Sequence, residues 1–317
     1  MAQISNIIIQ RPYSSPFKFR ISDSSSLDTV VKNGRLLNQT LNNATFLPGD
    51  VLVFPNKTFH IMGGIIADNL DSVTISFDGT IVLSNDLKHW PRSSGSKVLE
   101  CFLFNNAKNL TLTSSGKGLI DGNGGKWWGI PGIGYLVRQE NRPRLMRFEY
   151  CSDLTVENLI LKNSPYWTFF AGQVNGLTVR YTDIDVRRTN IDRHDIIDLT
   201  AFNTDGFDVT GRNVHIHDCN VWNQDDSIAV KDDSQDMLFE RVNVSGLGLA
   251  IGSISGSIVR NITFRDCYLH HTFKGIYMKF RDGEKPGFVE DITYENIVMD
   301  EPEQLKTKIT YRYAFKK

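Results

Sequence analysis

Two short acidic motifs hold the residues best suited to catalysis, Asn203-Thr204-Asp205 and Asn223-Gln224-Asp225-Asp226. Asp205 precedes Asp225 by 20 residues and Asp226 by 21 residues. Carboxylates that are brought together repel one another, so the pKa of at least one should rise and leave that group protonated. A protonated acid beside an ionised base is the arrangement that hydrolyses a glycosidic bond. The structural alternative is a ladder of solvated Asp and Asn residues at the turns of a repeat.

Two glycines, a tyrosine and a lysine follow the acidic motifs along the chain. Gly246 comes 20 residues after Asp226, with Gly248 next to it, and Tyr277 and Lys279 lie about 30 residues further on. Small residues at a strand end leave room for a sugar ring to approach the backbone. Lys279 places a cation in an acidic neighbourhood, which suits a substrate carboxylate.

The acidic motifs belong to a repeating pattern of short strands with alternating apolar residues. Eight apolar residues mark the same place in successive copies: Ile75, Leu112, Val156, Val179, Ile216, Phe239, Phe264 and Tyr294. The shortest step between them is 23 residues, and loops lengthen the others to as many as 44. A step of this length with period-two alternation predicts a parallel β-solenoid. An antiparallel sandwich would need hairpin turns about every 8–12 residues, whereas Asn-Gly occurs at three places in the chain.

The coils of a solenoid stack about 4.8 Å apart, so residues one coil apart in sequence become neighbours on its surface. Asp205 would therefore lie beside Asp225 and Asp226, with the backbones about 5 Å apart. The hypothesis of a catalytic site depends on this stacking, because it requires the three side chains to share one surface patch.

The whole chain, residues 1–317, is interpreted as a single all-β domain. Residues 1–70 are expected to form an N-terminal cap and the first coils. Within them, Leu27 to Leu41 predicts a short amphipathic helix that shields the first coil, and Pro48 to Pro55 predicts a turn into a buried strand. Residues 301–317 are expected to be an irregular basic tail with little to cover the last coil, as in a truncated sequence.

Other side-chain groups admit a functional and a structural interpretation. Four histidines could form a zinc site or lie exposed in turns: His215, His217, His270 and His271. The exposed turn positions are favoured, because no further zinc ligand is evident. Trp127 and Trp128 could form a sugar platform, but a place in the core is favoured. Three aspartates could bind calcium as in a polysaccharide lyase, or lie in a solvated loop: Asp232, Asp233 and Asp236. The solvated loop is favoured.

Composition and charge exclude several classes of protein. The 317 residues include 35 basic and 36 acidic side chains, a net charge of -1, which argues against a nucleic-acid partner. No apolar run approaches about 18 residues, so no membrane span is expected. The four cysteines lack CxxC spacing, which argues against a zinc or dithiol site. Cys219 and Cys267 should lie two coils apart as buried thiols.

Taken in order, the motifs resemble those of the polygalacturonase (pectinase) family of glycoside hydrolases, whose fold is a right-handed parallel β-helix. That family carries Asn-Thr-Asp, Asp-Asp after a polar pair, Gly-His-Gly and Arg-x-Lys. Here the motifs read Asn203-Thr204-Asp205, Gln224-Asp225-Asp226, Gly246-Leu247-Gly248 and Tyr277-Met278-Lys279. Upstream matches are the run from Gly118 to Trp128, Arg142-Pro143 and Asn163-Ser164-Pro165-Tyr166-Trp167. The resemblance spans roughly residues 45–300.

The resemblance implies an inverting glycosidase that cleaves α-glycosidic bonds in pectin-type polysaccharide. Asp225 would protonate the leaving oxygen, and Asp205 and Asp226 would activate the attacking water. An inverting pair of carboxyl groups is ordinarily about 6.5–9.5 Å apart. Substrate contacts would come from Lys279, Tyr277, Asn203, Gln224, Gly246 and Gly248.

The same resemblance implies a polysaccharide partner, with no metal or other cofactor. It also implies a secreted protein, and by analogy with similar solenoids a monomer. The N-terminus does not read as a signal peptide, because Ile7-Ile8-Ile9 is too short and no cleavage site follows. An incomplete gene model is the expected explanation for both the missing leader and the short C-terminal tail.

Two residues depart from the family pattern. Leu247 stands in place of the histidine, which removes a proton-sharing group and makes the site drier. Tyr277 stands in place of the arginine, so a bidentate grip on a uronate carboxylate is replaced by a ring that can stack on sugar. These departures keep two alternatives open: a hydrolase of a substituted pectin such as rhamnogalacturonan, and a catalytically inactive β-helix that binds polysaccharide.

Overall fold

The computed structural model describes residues 4–12, 14–43, 46–130, 140–281, 286–300, 302 and 309–315. The chain folds into a right-handed parallel β-helix in which the described strands form one continuous hydrogen-bonded sheet. The all-β solenoid predicted from the repeat is confirmed.

Most strands in the first half of the chain are short, and several strands in the second half are longer. The first half contains β1 (Ile4–Arg11), β2 (Ser14–Ser22), α1 (Leu27–Asn43), β3 (Val51–Phe54), β4 (Thr58–Ile61), β5 (Ile65–Asp68), β6 (Thr74–Phe77), β7 (Thr80–Leu83), β8 (Phe102–Asn105), β9 (Thr111–Thr113), β10 (Gly118–Asp121), a 3₁₀ turn (Gly124–Lys126), β11 (Met146–Glu149), β12 (Ser152–Glu157) and β13 (Leu159–Lys162). The second half contains β14 (Phe169–Arg180), β15 (Asp183–Asp185), a 3₁₀ turn (Asp198–Ala201), β16 (Phe207–Trp222), β17 (Asp226–Ser245), β18 (Gly248–Ile254), β19 (Ile258–Arg265), β20 (Tyr268–His270), β21 (Gly275–Phe280), β22 (Phe288–Asp300) and β23 (Ile309–Phe315).

Parallel pairing between successive coils builds three faces, which we call the first, second and third sheets. The first sheet runs through β3, β6, β9 and β12 into parts of β14, β16, β17, β19 and β22. The second runs through β4, β7, β10, β13 and β15 into β16, β17, β20 and β22. The third runs through β5, β8 and β11 into β14, β16, β17, β18 and β21. The long strands β14, β16 and β17 bend from one sheet to another.

The core is a column of apolar side chains along the helix axis. All eight residues identified from the repeat pair directly with the next one in register, from Ile75 with Leu112 to Phe264 with Tyr294. All eight are buried. The rings of Phe239 and Phe264 stack with centroids 4.8 Å apart, and those of Phe264 and Tyr294 with centroids 4.9 Å apart. Aliphatic residues therefore fill the earlier layers of this row, and three stacked aromatic rings fill its last layers.

The N-terminal end is closed by α1, whose length extends the predicted helix by two residues. Its buried face carries Val30, Leu37 and Leu41, spaced seven and four residues apart as an amphipathic helix requires. A Cβ at Gly34 would lie 2.5 Å from the backbone oxygen of Met62, so only glycine lets the helix lie this close to the first coil. The predicted helical cap is confirmed, and the strand predicted after Pro48 is β3.

Strands at both ends of the chain pair antiparallel to their neighbours. The hairpin of β1 and β2 adds to the first coil through pairing of β1 with β3, which the sequence pattern did not predict. At the other end, β23 pairs with β22. The expectation of an irregular tail over residues 301–317 is therefore wrong for residues 309–315. This strand forms hydrogen bonds with the unpaired backbone groups of the last coil but does not continue the repeat. The periodic pattern of the sequence therefore does not predict it.

The cysteines behave as the solenoid register requires. All four are free and buried, and Val242 lies between Cys219 and Cys267 in the stack. Burial raises the pKa of the Cys219 thiol and of the Cys267 thiol to about 12. No helix in the described ranges combines the length and the apolar character needed to cross a membrane.

Candidate active site

The two acidic motifs meet at the third sheet, where one coil lies directly above another. Asp205 precedes β16, and Asp226 opens β17 with Asp225 just before it. The Gly206 N–H donates to the backbone oxygen of Asp226 at 2.8 Å, which sets the stacking. One carboxylate oxygen from each of Asp205, Asp225 and Asp226 lies within 4.8 Å of the others. The predicted juxtaposition of the three aspartates is confirmed.

The three aspartates, together with Asp208, are called the acidic cluster below. Asp226 and Asp208 have no exposed surface, Asp205 keeps 4% of its surface exposed and Asp225 keeps 7%. Asp225 is therefore the member that a ligand reaches most directly. Asp205 Oδ1 is buried and has no hydrogen-bond partner among the described residues, so it can accept a hydrogen bond from water or carry a proton.

Burial and mutual repulsion shift the ionisation of the acidic cluster. Burial, followed by the charge of Asp226, raises the pKa of Asp225 to about 6. Burial, followed by the charges of Asp208 and Asp225, raises the pKa of Asp205 well above its usual range. A protonated and an ionised carboxyl can therefore coexist near neutral pH, as acid–base catalysis requires.

Tyr277 and Lys279 both bind Asp226. The Tyr277 hydroxyl donates to Asp226 Oδ1, and the Lys279 ammonium donates to Asp226 Oδ2. Burial, followed by the negative charge of Asp226, raises the pKa of Tyr277, so the phenol keeps its proton. The two side chains on β21 thus cover Asp226. Two small residues that pair in register below Tyr277, Ala250 and Ala229, allow its ring to lie over this part of the sheet.

Two cations missed by the sequence analysis also serve the site. The Lys231 ammonium lies 2.7 Å from Asp208 Oδ1, and its side chain is 15% exposed. Asp208 pairs in register with Ala229, and the register shifts just after it, so the repeat spacing does not predict that Lys231 reaches Asp208. Arg142 donates to Asn203 Oδ1 at 3.0 Å and to the Phe202 backbone oxygen at 2.8 Å.

Asn203 and Gln224 hold the turns that carry the aspartates. Asn203 adopts a left-handed backbone with φ of 57°, and its amide donates to Asp225 Oδ2 at 3.4 Å. Gln224 is fully buried, donates to the Val186 backbone oxygen at 3.0 Å and contacts His194 Nδ1 at 2.8 Å. These contacts hold the loop before Asp225, and the substrate contact expected of Gln224 stays a prediction.

Gly246 and Gly248 also have a structural reason for being glycine. A Cβ at Gly248 would lie 1.9 Å from the Gly275 backbone oxygen, and one at Gly246 would lie 2.3 Å from Asn223 Oδ1. The adjacent coil fills the space that a Cβ would take at each glycine, and the room expected there for a sugar ring stays a prediction. Both are needed for close stacking of the coils under the site.

The remaining candidates of the sequence analysis take structural roles. Asp232 accepts hydrogen bonds from Ser255 and Ser257, and Asp236 accepts one from Asn261, as turn-capping residues do. Trp127 and Trp128 are 2% and 4% exposed, which confirms their place in the core. No loop calcium site is needed to explain these contacts.

The four histidines divide between two regions. His215 contacts Glu240 at 3.0 Å, and His217 contacts Asp218 at 2.6 Å. His270 and His271 lie instead beside Trp222. Among the described residues, only Asp205, Asp225 and Asp226 have spacing suited to a metal ion, and both oxygens of Asp226 already accept hydrogen bonds from protein donors.

A parallel β-helix with clustered, partly protonated aspartates on one sheet defines a polysaccharide-processing class of β-helix proteins. Within that class, the sequence model of the glycosyl hydrolases family 28 matches residues 55–313, and the chain belongs to this family. Endopolygalacturonase I of Aspergillus niger is 30% identical over 236 residues, which cover 73% of this chain and 58% of that protein. A probable endopolygalacturonase I of Aspergillus terreus is 28% identical over 291 residues, which cover 90% and 72%.

Solved structures show the same fold. The endo-xylogalacturonan hydrolase of Aspergillus tubingensis superposes with a TM-score of 0.63 at 23% identity, covering 80% of this chain and 67% of that one. The polygalacturonase of Erwinia carotovora superposes with a TM-score of 0.63 at 20% identity, covering 88% and 78%. The match thus spans less than two thirds of the Aspergillus niger relative and most of these structural neighbours.

Proposed function

We propose that this protein hydrolyses α-glycosidic bonds in a pectin-type polysaccharide by acid–base catalysis. The observation that carries the proposal is the acidic cluster, in which oxygens of Asp205, Asp225 and Asp226 lie within 4.8 Å of one another. Asp225 is the proton donor to the leaving oxygen, because it is the most exposed of the three and its pKa is about 6. Asp226 and the ionised form of Asp205 activate the attacking water. Burial raises the pKa of Asp205, and the charge of Lys231 opposes that rise.

The oxygen spacing allows one water to contact two carboxylates. Hydrogen bonds of about 2.8 Å from a single water can reach two oxygens that lie 4.8 Å apart. Inversion is a proposal that rests on family membership. Proton NMR of the first product tests it: inversion gives the β-anomer, and an α-anomer would overturn it.

A second candidate function is hydrolysis of a substituted pectin, and Tyr277 is the observation that favours it. The Tyr277 hydroxyl and the Lys279 ammonium are both committed to Asp226, so neither is held ready for a substrate carboxylate. A less acidic sugar would then fit better beside them than galacturonate. Release of reducing ends from polygalacturonate, rhamnogalacturonan and xylose-substituted galacturonan separates the two candidates, with Asp225→Asn as the control.

The same panel decides between a hydrolase and its alternatives. Release no greater than that of Asp225→Asn on every polymer would support an inactive polysaccharide-binding β-helix. Product that absorbs in the ultraviolet and disappears with a chelator would support a calcium-dependent lyase. A polymer found in plant cell walls also places the proposed activity outside the cell, so secretion is part of the proposal.

Restoring the family's arginine should shift the preference between the polymers. Tyr277→Arg adds a guanidinium that can bind a uronate carboxylate through two hydrogen bonds. We expect KM for polygalacturonate to fall by about tenfold, the effect of one charged hydrogen bond, with less change for the substituted polymer. Tyr277→Lys is the matched control, since it adds the charge without the planar pair of donors. Equal KM values for wild type and both variants would contradict the role given to this position.

A further inference from the structure

Lys231 is a cation that lies within reach of three carboxylates of the acidic cluster. It follows Val230 on β17, where the register between β16 and β17 shifts, and this shift lets its side chain reach across to the coil below. The ammonium lies 2.7 Å from Asp208 Oδ1, 3.9 Å from Asp205 Oδ2 and 4.0 Å from Asp226 Oδ2. One buried charge is thus shared among three carboxylates.

Asp208 forms the shortest ion pair with Lys231. Neither residue has a role in the proposed hydrolysis as described so far. Asp208 has no exposed surface, and an ionised carboxylate in such a place is stable only when it is paired. The Lys231 ammonium also lies 5.0 Å from the ring centre of Trp167, which closes the apolar side of its site. The pair is therefore held in a fixed position immediately beside Asp205.

The charged groups around the pair come from several elements. Asp205 and Asp208 lie on or next to β16, and Asp225 and Asp226 at the start of β17. Tyr277 and Lys279 reach Asp226 from β21, and the charge of Arg144 acts on Asp208 from two coils below. Tyr277 and Lys279 bind Asp226, and among the described residues Lys231 is the cation that forms an ion pair with Asp205, at 3.9 Å.

The directions of the pKa shifts agree with this geometry. Burial raises the pKa of Asp205 and of Asp208, and the charge of Lys231 opposes the rise in both. Burial alone would lower the pKa of Lys231, but the charges of Asp208, Asp205 and Asp226 outweigh it and raise the pKa instead. The lysine therefore stays charged throughout the pH range in which the aspartates titrate.

We propose that Lys231 is a positioning residue, whose buried charge holds Asp208 in place and favours the ionised form of Asp205, which activates water together with Asp226. The proposal deepens the proposed hydrolysis and rests on it. Lys231 contacts no reacting atom and acts through the aspartates. Its expected signature is consequently a change in the acid limb of the pH profile, where the base becomes ionised, with little change in KM.

The first test is the pH profile of kcat/KM for Lys231→Met, with Lys231→Arg as the conservative variant. Loss of an opposite charge within about 4–6 Å should move the acid limb to higher pH by about one unit. The Arg variant should keep the limb within a few tenths of a unit of wild type. Lys162→Met is the matched control, because Lys162 is also ion-paired, at 3.3 Å from Asp185, but lies on the second sheet.

Asp208→Asn provides an independent test if Lys231→Met does not fold. Removing the Asp208 charge leaves Lys231 facing Asp205 and Asp226 alone, so the acid limb should move to lower pH, opposite to the effect of Lys231→Met. Acid limbs that coincide with wild type in Asp208→Asn and in every folded Lys231 variant would overturn the proposal.

A readout without turnover separates this proposal from the proposed function. Carbon NMR of labelled aspartate carboxyls should show the midpoints of the buried aspartates at higher pH in Lys231→Met and at lower pH in Asp208→Asn. This result would support the role of Lys231 even for a wild-type protein without activity, whereas the proposed function would then fail by itself. Unchanged midpoints beside an active wild type would overturn only the role of Lys231.

Discussion

Two regions of the same β-helix treat carboxylates in opposite ways. The acidic cluster on the third sheet collects aspartates in adjacent coils, where burial raises the pKa of Asp225 to about 6. The first sheet carries a group of alternating charges on its outer face, which we call the surface charge ladder: His215, His217, Asp218, Glu240, Arg241 and Arg265. In the ladder, hydrogen bonds from Arg241 and then His217 lower the pKa of Asp218 below its usual range.

The register of the coils explains the difference. In the ladder, His217, Glu240 and Arg265 pair in successive coils, so each carboxylate has a cation above or below it. In the acidic cluster, the Gly206–Asp226 hydrogen bond places Asp205 next to Asp226, so like charges are stacked. The residue types are the same, and what differs is the sign of the neighbour in the next coil.

This difference has a consequence for stability. A carboxyl whose folded-state pKa is raised, such as Asp225, keeps its proton in the folded chain after the unfolded chain has lost it. Its contribution to stability therefore decreases as pH rises from about 4 to about 6. The acidic cluster costs stability at neutral pH, as functional sites commonly do, and the surface charge ladder contributes to it.

The largest expected effect comes from removing one carboxylate from each region. Asp225→Asn should reduce kcat by about 10²–10⁴-fold, the usual contribution of a general acid. Asp218→Asn should leave kcat unchanged, because Asp218 contacts Arg241 and His217 far from the acidic cluster. Reducing-end release by the two purified variants, checked for native circular dichroism, measures both. Equal losses would mean that the acidic cluster has no special role.

The next effect is the position of the basic limb of the pH profile. Because the acid must carry its proton, activity should fall as pH rises through about 6, where Asp225 becomes ionised. A plot of log(kcat/KM) against pH, at constant ionic strength, should bend near that value. A profile that stays flat from pH 5 to about pH 8 would show that Asp225 does not act as the acid.

The architecture could be predicted because a solenoid repeats its register in the sequence. The step of 23 residues from Ile216 to Phe239 sets the coil length on the first sheet, and a shorter step of 21 residues stacks Asp205 near Asp226 on the third sheet. Asp208 pairs with Ala229 in this register, and Lys231 reaches Asp208 through the register shift that follows, which the repeat does not predict. The antiparallel strands β1, β2 and β23 follow no repeat, and so the pattern contained no sign of them.

The roles of side chains were harder to predict than their positions, because the register of a strand does not determine which groups a side chain contacts. Gln224 is fully buried against Val186 and His194, and Gly248 packs against Gly275, although spacing alone placed both next to the acid residues. Tyr277 was expected to stack on a sugar, but its hydroxyl donates to Asp226. These contacts depend on which face of each turn is exposed to solvent. Loops that lie far away in sequence determine that exposure.

The smallest expected effect concerns the surface charge ladder and is a change in stability alone. Burial acts to raise the pKa of Glu240, but hydrogen bonds from Arg265, Arg241 and His215 outweigh it and lower the pKa to about 2. A lowered pKa means that the stabilisation is present above about pH 4 and is lost as pH falls through about 2.

Glu240→Gln should therefore lower Tm by about 1–3 °C at pH 7, the effect of a partly exposed ion pair in a chain of this size. The difference from wild type should shrink between about pH 4 and pH 2, because the wild-type carboxyl then takes up its proton. Scanning calorimetry at several pH values measures both, and activity should not change. A Tm difference that is as large at pH 2 as at pH 7 would mean that Glu240 stabilises the fold by packing. The contrast between the two regions would then come from side-chain packing and not from charge.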